Sequence, residues 1–295
     1  MDRQFGWLGK EAEEKAFGEV KSQFIPFVMQ GEVRDKPGVP IWRLMRRVNE
    51  GRNLPTFNQQ TGDCCSMGAK HVLEYLQAAM ITVHGQPLKF KRIFAPYIYG
   101  MSRCAPECGN RSLGRSAGST GAWTAAACKK YGACFDDDPD IPKYSGALAD
   151  QWGYRGVPEN FIKEASDNLI KGITKINTID ELRTALVNYY PATIASTWGF
   201  TVGDREGVKT YTRNPRDPWA HQMCFIAWRD DPFPAAFRLN SWGDNSTGKP
   251  YDDEPGGGAW QSAESIQKEI ESGVAEVYSY SSFDGFVAPG GNALI

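Results

Sequence analysis

Apolar residues in the first half of the chain recur at the spacing of an α-helix. Within residues 66–80, Leu73, Leu76 and Met80 fall on one face of such a helix. The same pattern predicts helices at 10–23, at 41–49 and at 122–131, and Gly132 ends the last of these. The first half is therefore predicted to be mainly helical.

Shorter apolar runs, some alternating with polar residues, dominate the second half. They predict strands at 193–197, 222–228, 236–239, 259–260 and 273–280, and helices at 178–190 and 263–271. A helical half followed by a strand-rich half predicts an α+β fold with two lobes and a cleft between them.

The chain is predicted to divide into a leader and one large domain. Residues 1–55, rich in charges and proline, form the leader, and residues 56–295 form the domain. We expect a helical lobe over 56–150 and a mainly β lobe over 151–295. A length of 295 residues is sufficient for either two domains or one two-lobed domain.

The composition excludes several classes of protein. The chain is 41% hydrophobic and 23% charged, which is typical of a folded globular protein. Its net charge of −2 and the lack of a long Lys/Arg run argue against nucleic acid or a membrane surface as a partner. Neither a signal peptide nor an apolar run of membrane-spanning length is visible, so we expect a cytoplasmic protein.

Seven cysteines and three histidines restrict the chemistry. The odd number of cysteines in a large chain makes a full disulfide framework unexpected. Four of them, Cys104, Cys108, Cys128 and Cys134, are compatible with a four-thiolate zinc site, but their spacing is irregular, and free or core cysteines are favoured. We therefore predict no metal and no cofactor.

A cysteine at a predicted loop-to-helix junction is the first candidate for chemistry. Cys64 follows the turn residue Gly62, and the helix N-terminus stabilises a thiolate there. Gln59 supplies an amide that can donate a hydrogen bond to a developing oxyanion. The competing interpretation is a pair of inert buried cysteines, Cys64 and Cys65.

A histidine and an asparagine complete the candidate site. His221 begins an apolar strand, where it can act as general base for a thiol. Asn240 directly follows another strand, and its amide oxygen can fix the imidazole tautomer while Trp242 shields that contact. Taken singly, His221 is more typical of a structural histidine, and Asn240 of a turn that ends a strand.

In this order, Gln59, Cys64, His221, Asn240 and the following Ser-Trp-Gly resemble the papain-like cysteine peptidases. Further segments also match: Val72-Leu73-Glu74, Ser119 to Trp123, Leu182 to Ser196 and Gly257 to Trp260. The resemblance implies a divergent prokaryotic or phage-type member, with an active-site helix in a helical lobe and an antiparallel β-rich second lobe. It also implies a substrate cleft that includes Gly121, Trp123 and Trp242.

The sequence departs from that family directly after the nucleophile, where Cys65 replaces the usual Trp. Cys64 keeps the Gly two residues before it and Glu74 ten residues after it. Cys65 keeps only the usual spacing to Gln59. Cys64 is therefore favoured as the nucleophile.

The resemblance implies peptide-bond hydrolysis through a Cys-His-Asn triad and a thioester, with a polypeptide as substrate. Two alternatives stay open. One is a phage virion or assembly protein on this fold with little or no peptidase activity, located in the virion. The other is an acyltransferase or cell-wall peptide hydrolase that uses the same Cys-His pair. The leader is then a propeptide, a clamp across the back of the fold, or a tail that joins a large assembly.

Overall fold

The computed structural model describes residues 4–27, 37–38, 40–85 and 89–283. The other parts of the predicted leader, and the chain from 284 onwards, lie outside the described residues. Within these ranges, none of the helices combines the length and apolar character that a bilayer crossing requires.

Helices fill the first half of the described chain. They are α1 (Lys10–Val20), α2 (Ile41–Val48), α3 (Cys64–Val83), α4 (Ala95–Cys104), α5 (Gly121–Tyr131), α6 (Gly146–Arg155) and α7 (Glu159–Ala165), followed later by α8 (Ile179–Val187) and α9 (Ala263–Glu271). The predicted lobe boundary at 150 falls inside α6, and helices continue to Ala165 before the first strand begins.

Helix α3 is the centre of the helical half. Every residue from Cys64 to Met80 is buried. The helix packs against α2 and α4 on its own side and against the sheet on the other. It is therefore buried all round rather than along one stripe, and it extends beyond the predicted range of 66–80 at both ends.

The described part of the second half, up to residue 283, forms one eight-stranded sheet. Its strands are β1 (Ile170–Ile176), β2 (Ala192–Ser196), β3 (Gly199–Arg205), β4 (Val208–Asn214), β5 (His221–Arg229), β6 (Ala235–Leu239), β7 (Gly258–Ser262) and β8 (Ala275–Phe283). They lie in the order β1-β8-β2-β5-β6-β7-β4-β3. All neighbours are antiparallel except β4 and β7.

Strand β5 connects the sheet to the helical half. Its residues are buried from His221 to Trp228, and α3 packs directly against it. The pairing of Ser196 with His221 fixes the first residue of β5 at the sheet end that faces the start of α3. The α+β class and the predicted strands are confirmed.

The leader packs onto the domain. Helix α1 lies against α5 and β8, with Ala16 and Val20 buried in the core. Ahead of it runs an extended stretch, residues 4–8, which we call the cleft segment. Its Trp7 pairs in parallel with Ser119.

Candidate active site

The start of α3 places Cys64 against the start of β5. Cys64 is the first residue of the helix and is fully buried. The backbone N–H of Gln222 donates to its Sγ at 3.4 Å. The helix N-terminus adds a partial positive charge, so both surroundings favour a thiolate at this position.

A hydrogen bond and a stacked ring hold His221. Its Nε2 donates to Oδ1 of Asn240 at 2.8 Å, and the same oxygen accepts from the Ser241 N–H at 2.7 Å. The indole of Trp242 stacks on the imidazole with 4.5 Å between ring centroids. Within the described residues the buried Nδ1 makes no hydrogen bond, so this nitrogen is available to a thiol.

The pKa values of the two neighbouring cysteines are shifted in opposite directions. Burial by itself would raise the pKa of Cys64, but contacts with the Cys65 thiol, the His221 ring and the Gln222 amide hold that pKa well below its ordinary value. Burial and the adjacent Cys64 raise the pKa of Cys65 well above the ordinary value. Its Sγ donates to the Ser119 carbonyl at 3.3 Å. Cys64 is thus the more acidic thiol of the pair.

The loop before α3 brings Gln59 to the same place. Its backbone N–H donates to the Ser241 carbonyl at 2.8 Å, and its Oε1 accepts from the Ser241 hydroxyl at 2.5 Å. The amide nitrogen donates to the carbonyls of Thr61 at 2.9 Å and Gln4 at 3.2 Å. The Gln59 amide therefore already binds a main-chain carbonyl of the cleft segment.

Asp63 is a buried carboxyl directly before Cys64. Its Oδ2 accepts from the Tyr144 hydroxyl at 3.0 Å, and its Oδ1 has no hydrogen-bond partner among the described residues. Burial raises the pKa of Asp63 to about 8, and the neighbouring Cys64 adds to the rise. Below that pH the carboxyl is therefore mostly neutral and does not oppose a thiolate at Cys64.

The cleft segment covers the site. Gly6 and Trp7 donate their N–H groups to the Ala220 carbonyl at 3.2 and 3.1 Å. The Ser119 N–H donates to Gly6 at 2.8 Å, and Leu8 donates back to Ser119 at 3.1 Å. The ring of Phe5 meets those of His221 and Trp242 edge-on, at centroid distances of 6.1 and 5.7 Å. With this segment in place, Cys64 and His221 are both 0% exposed.

No family model and no curated protein sequence matches the chain. Solved structures do. Xylellain, a cysteine protease from Xylella fastidiosa, matches with a TM-score of 0.64 and 15% identity, covering 96% of this chain and 98% of that one. The proCathepsin B S9 structure from Trypanosoma congolense matches with a TM-score of 0.58 and 12% identity, over 95% and 87%. Amb a 11, a ragweed pollen cysteine protease in its proform, matches with a TM-score of 0.56 and 14% identity, over 92% and 74%. The fold is that of the papain-like cysteine proteases.

Within this papain-like fold, the residues expected to line the cleft occupy different positions. Trp242 covers the contact between His221 and Asn240. Gly121 begins α5 and is buried against Tyr278 and Gln222, where an added Cβ would come within 3.0 Å of both. Trp123 donates its indole N–H to Glu19 of α1 at 3.0 Å. Gly121 thus contacts Gln222, whose backbone N–H donates to Cys64, and Trp123 contacts the leader; their role in a substrate cleft stays a prediction.

Sequence analysis missed the groups that hold the cleft segment. Ser119 and Ala220 act through main-chain atoms, which leave no signature in a sequence. Gln222 ties the two halves together because its side-chain amide donates to the Cys65 carbonyl at 2.8 Å. The only local signal in the segment was a pair of aromatic residues, Phe5 and Trp7, on either side of Gly6 in a charged leader.

The cysteines outside the site are separate thiols. Cys108, Cys128, Cys134 and Cys224 are buried and Cys104 is partly exposed. In the part of the chain that the structure describes, no group of three or more His, Cys, Asp or Glu side chains has an arrangement that could hold a metal ion.

Proposed function

We propose that the chain is a cysteine peptidase in which Cys64 is the nucleophile and His221 the general base. The observation that carries the proposal is the convergence of Cys64, His221 and Asn240 from α3, β5 and the loop after β6. The low pKa of the Cys64 thiol and the hydrogen bond between His221 and Asn240 support it. The shared fold with cysteine proteases supports it independently.

The proposed reaction follows from these contacts. His221 takes the proton of Cys64, and the thiolate attacks a peptide carbonyl. The Gln59 amide and the Cys64 backbone N–H stabilise the oxyanion. His221 then protonates the leaving amine, and water hydrolyses the thioester. Asn240 holds the imidazole in the required tautomer.

The proposed substrate is an extended polypeptide. The cleft already accepts an extended main chain, whose amides and carbonyls pair with Ala220 and Ser119. That chain is the protein's own cleft segment, so a substrate enters only after the segment has moved. We therefore propose that the peptidase is latent in this conformation. Two of the similar structures carry descriptions of this kind, a procathepsin and a proform.

Substitution of Gly6 tests both parts of the proposal. A Cβ added at Gly6 would lie 1.9 Å from the Gly62 carbonyl oxygen, so Gly6→Ala should expel the segment from the cleft. A Cβ added at Gly18 in α1 meets nothing within 4 Å, which makes Gly18→Ala the matched control. A peptidyl epoxide should label the Gly6→Ala protein faster than the wild type or the control.

Mass spectrometry should locate the epoxide on Cys64. In the Gly6→Ala background, Cys64→Ala should abolish the adduct and Cys65→Ala should keep it. An adduct on Cys65 would reverse the assignment of the nucleophile. A Gly6→Ala protein that shows neither an adduct nor turnover of a peptide substrate would contradict the proposed function.

A further inference from the structure

Glu13 of α1 is a carboxylate buried at the N-terminus of another helix. It is fully buried, and each of its oxygens accepts two hydrogen bonds. The Gly121 N–H and the Trp7 indole donate to one oxygen at 2.7 and 2.6 Å. The Ala122 N–H and the Tyr278 hydroxyl donate to the other at 2.6 and 3.0 Å.

Burial raises the pKa of Glu13, whereas its four hydrogen bonds lower that pKa because all four partners are donors and favour the carboxylate. The first N–H groups of a helix have no partner within the helix, and the helix dipole places a partial positive charge there. In α5, Thr120 satisfies the Trp123 N–H through its side chain at 3.2 Å, and Glu13 satisfies the two preceding amides. A leader side chain thus completes the capping of a domain helix.

Glu13 is also connected to the nucleophile through Trp7. The indole that donates to Glu13 packs in a buried cluster with Cys64, Cys65 and Ala195. The backbone N–H of Trp7 donates to Ala220, the residue before His221. Removal of the carboxylate would leave the buried Trp7 N–H without an acceptor, next to both catalytic groups.

We propose that Glu13 is the anchor that keeps the cleft segment in place. In this proposal, which rests on the peptidase function proposed above, the segment leaves the cleft only when the Glu13 carboxylate leaves α5. The amides of Gly121 and Ala122 then bind water, so opening leaves no polar group of α5 unsatisfied. The cleft is therefore controlled from α5, a helix that contributes no catalytic residue.

The ion pair between Lys10 of α1 and the sheet is a weaker candidate for this role. Lys10 pairs with Glu276 of β8, but its side chain is 30% exposed and also lies 3.5 Å from Glu14. Water competes for the Lys10 ammonium, although Glu276 is buried, and this competition weakens the ion pair. Glu13 in contrast makes four buried hydrogen bonds, and charged hydrogen bonds are the stronger kind.

Glu13→Ala and Glu14→Ala form a matched pair of variants of the full chain. The Glu14 side chain is 64% exposed, so its removal leaves the anchor intact. Iodoacetamide labelling, followed residue by residue with peptide mass spectrometry, measures access to each thiol. The partly exposed Cys104 serves as the internal reference, and the buried Cys224 of β5 reports unfolding.

We expect Glu13→Ala to raise the labelling rate of Cys64 at least about tenfold, because four buried hydrogen bonds are lost. Glu14→Ala should label like the wild type, and Cys224 should stay protected in both. Glu13→Gln should also accelerate Cys64 labelling. The NH2 group of the new side chain is a hydrogen-bond donor and would face the backbone N–H donors of α5. If Cys224 and Cys64 are labelled equally fast in Glu13→Ala, that variant is unfolded. The labelling rate of Cys64 in Glu13→Gln is then the test of the anchor.

Two outcomes separate this inference from the proposed function. If Gly6→Ala exposes a reactive Cys64 while the folded Glu13 variants label like Glu14→Ala, the anchor is wrong and the latent peptidase stands. If Cys64 becomes accessible in Glu13→Ala but that protein neither reacts with the peptidyl epoxide nor turns over a peptide, the anchor stands and the peptidase function fails.

Discussion

At the scale of single residues, the site depends on which of two adjacent thiols loses its proton. The sequence favours Cys64 through the positions of Gly62 and Glu74, and the structure gives a physical reason for the same choice. Cys64 lies near His221 and the Gln222 amide, whereas Cys65 donates to the Ser119 carbonyl. The assignment of the catalytic residues stays a prediction until labelling tests it.

Asp63 shows why neighbours decide acidity here. The groups that act electrostatically on it, Cys64 and Asp150, are both anionic when ionised. A charged Asp63 would therefore oppose the thiolate at Cys64, and a neutral one does not. The sequence analysis assigned no role to Asp63, because neither its burial nor its contact with Tyr144 can be seen in the sequence.

Replacing Asp63 with Asn should change how stability depends on pH. The pKa of Asp63 in the folded chain, about 8, lies above its ordinary value of 3.8. The neutral Asp63 carboxyl therefore contributes its full stabilisation below about pH 4, and this contribution is lost as the pH rises to about 8. Relative to Asp63→Asn, the wild type should lose at most about 1.4 kcal/mol per pH unit in that interval.

Urea unfolding of both proteins between about pH 5 and 8 measures this difference. Asp137→Asn is the control, because the Asp137 side chain is 52% exposed. It should show no such divergence from the wild type. Parallel curves for Asp63→Asn and the wild type would mean that Asp63 is already ionised at low pH.

At the scale of elements, the loop that carries Gln59 is held by the start of α6. The Gln60 N–H donates to the Tyr144 hydroxyl at 2.9 Å, and this hydroxyl donates to Asp63. The Gly146 N–H donates to the Gln60 side chain at 3.1 Å, and Thr61 donates to Asp150 at 2.7 Å. The geometry of the proposed oxyanion site thus depends on a separate helix.

Tyr144→Phe should loosen this loop without changing the ring. It removes one hydroxyl. The exposed Gln60 N–H can then bind water, but the buried Asp63 carboxyl loses the Tyr144 donor, which costs about 1–3 kcal/mol of unfolding free energy. We expect kcat to fall in the Gly6→Ala background, with a smaller change in KM. Tyr154→Phe is the control, since Tyr154 is 40% exposed. Equal kcat values for the two variants would remove Tyr144 from the support of this loop.

Elements with a clear apolar pattern could be predicted from the sequence, and others could not. Helix α4 is buried almost throughout and contains Pro96 and Gly100, so it has neither a stripe nor a typical helical composition. Pro96 is tolerated there because it lies in the first turn. Strand β3 is exposed after its first two residues, so it lacks the alternation of a half-buried strand.

At the scale of the whole molecule, the position of the cleft segment is the feature that could least be predicted from the sequence. The sequence predicted a cleft between two lobes but left the leader as a propeptide, a back clamp or an assembly tail. The segment contacts Ser119 and Ala220, more than a hundred residues away, through backbone atoms. No local pattern encodes such contacts, so the propeptide-like arrangement is evident only in the folded chain.

Opening of the leader should be visible as susceptibility to trypsin. Trypsin cuts after lysine, and α1 contains Lys10 and Lys15. If the docked and released forms exchange rapidly, cleavage follows the released population. Gly6→Ala and Glu13→Ala should lose α1 about tenfold faster than the wild type, a difference of about 1.4 kcal/mol in the opening equilibrium.

Gly18→Ala and Glu14→Ala should be cut at the rate of the wild type. Mass spectrometry of the products distinguishes release of the leader from general digestion, because the domain should survive intact. Uniform cleavage of α1 in all five proteins would show that the leader is not held by the contacts with Gly62 and α5.

The ring of Trp242 lies against His221 and beside Phe5. Phe5 of the cleft segment meets this indole edge-on, so departure of the segment changes the surroundings of Trp242 and with them its intrinsic emission. The protein thus carries its own optical reporter. Because the chain has nine tryptophans, the difference in stopped-flow fluorescence between the wild type and Trp242→Phe would follow departure of the segment in real time, with no dye and no substrate.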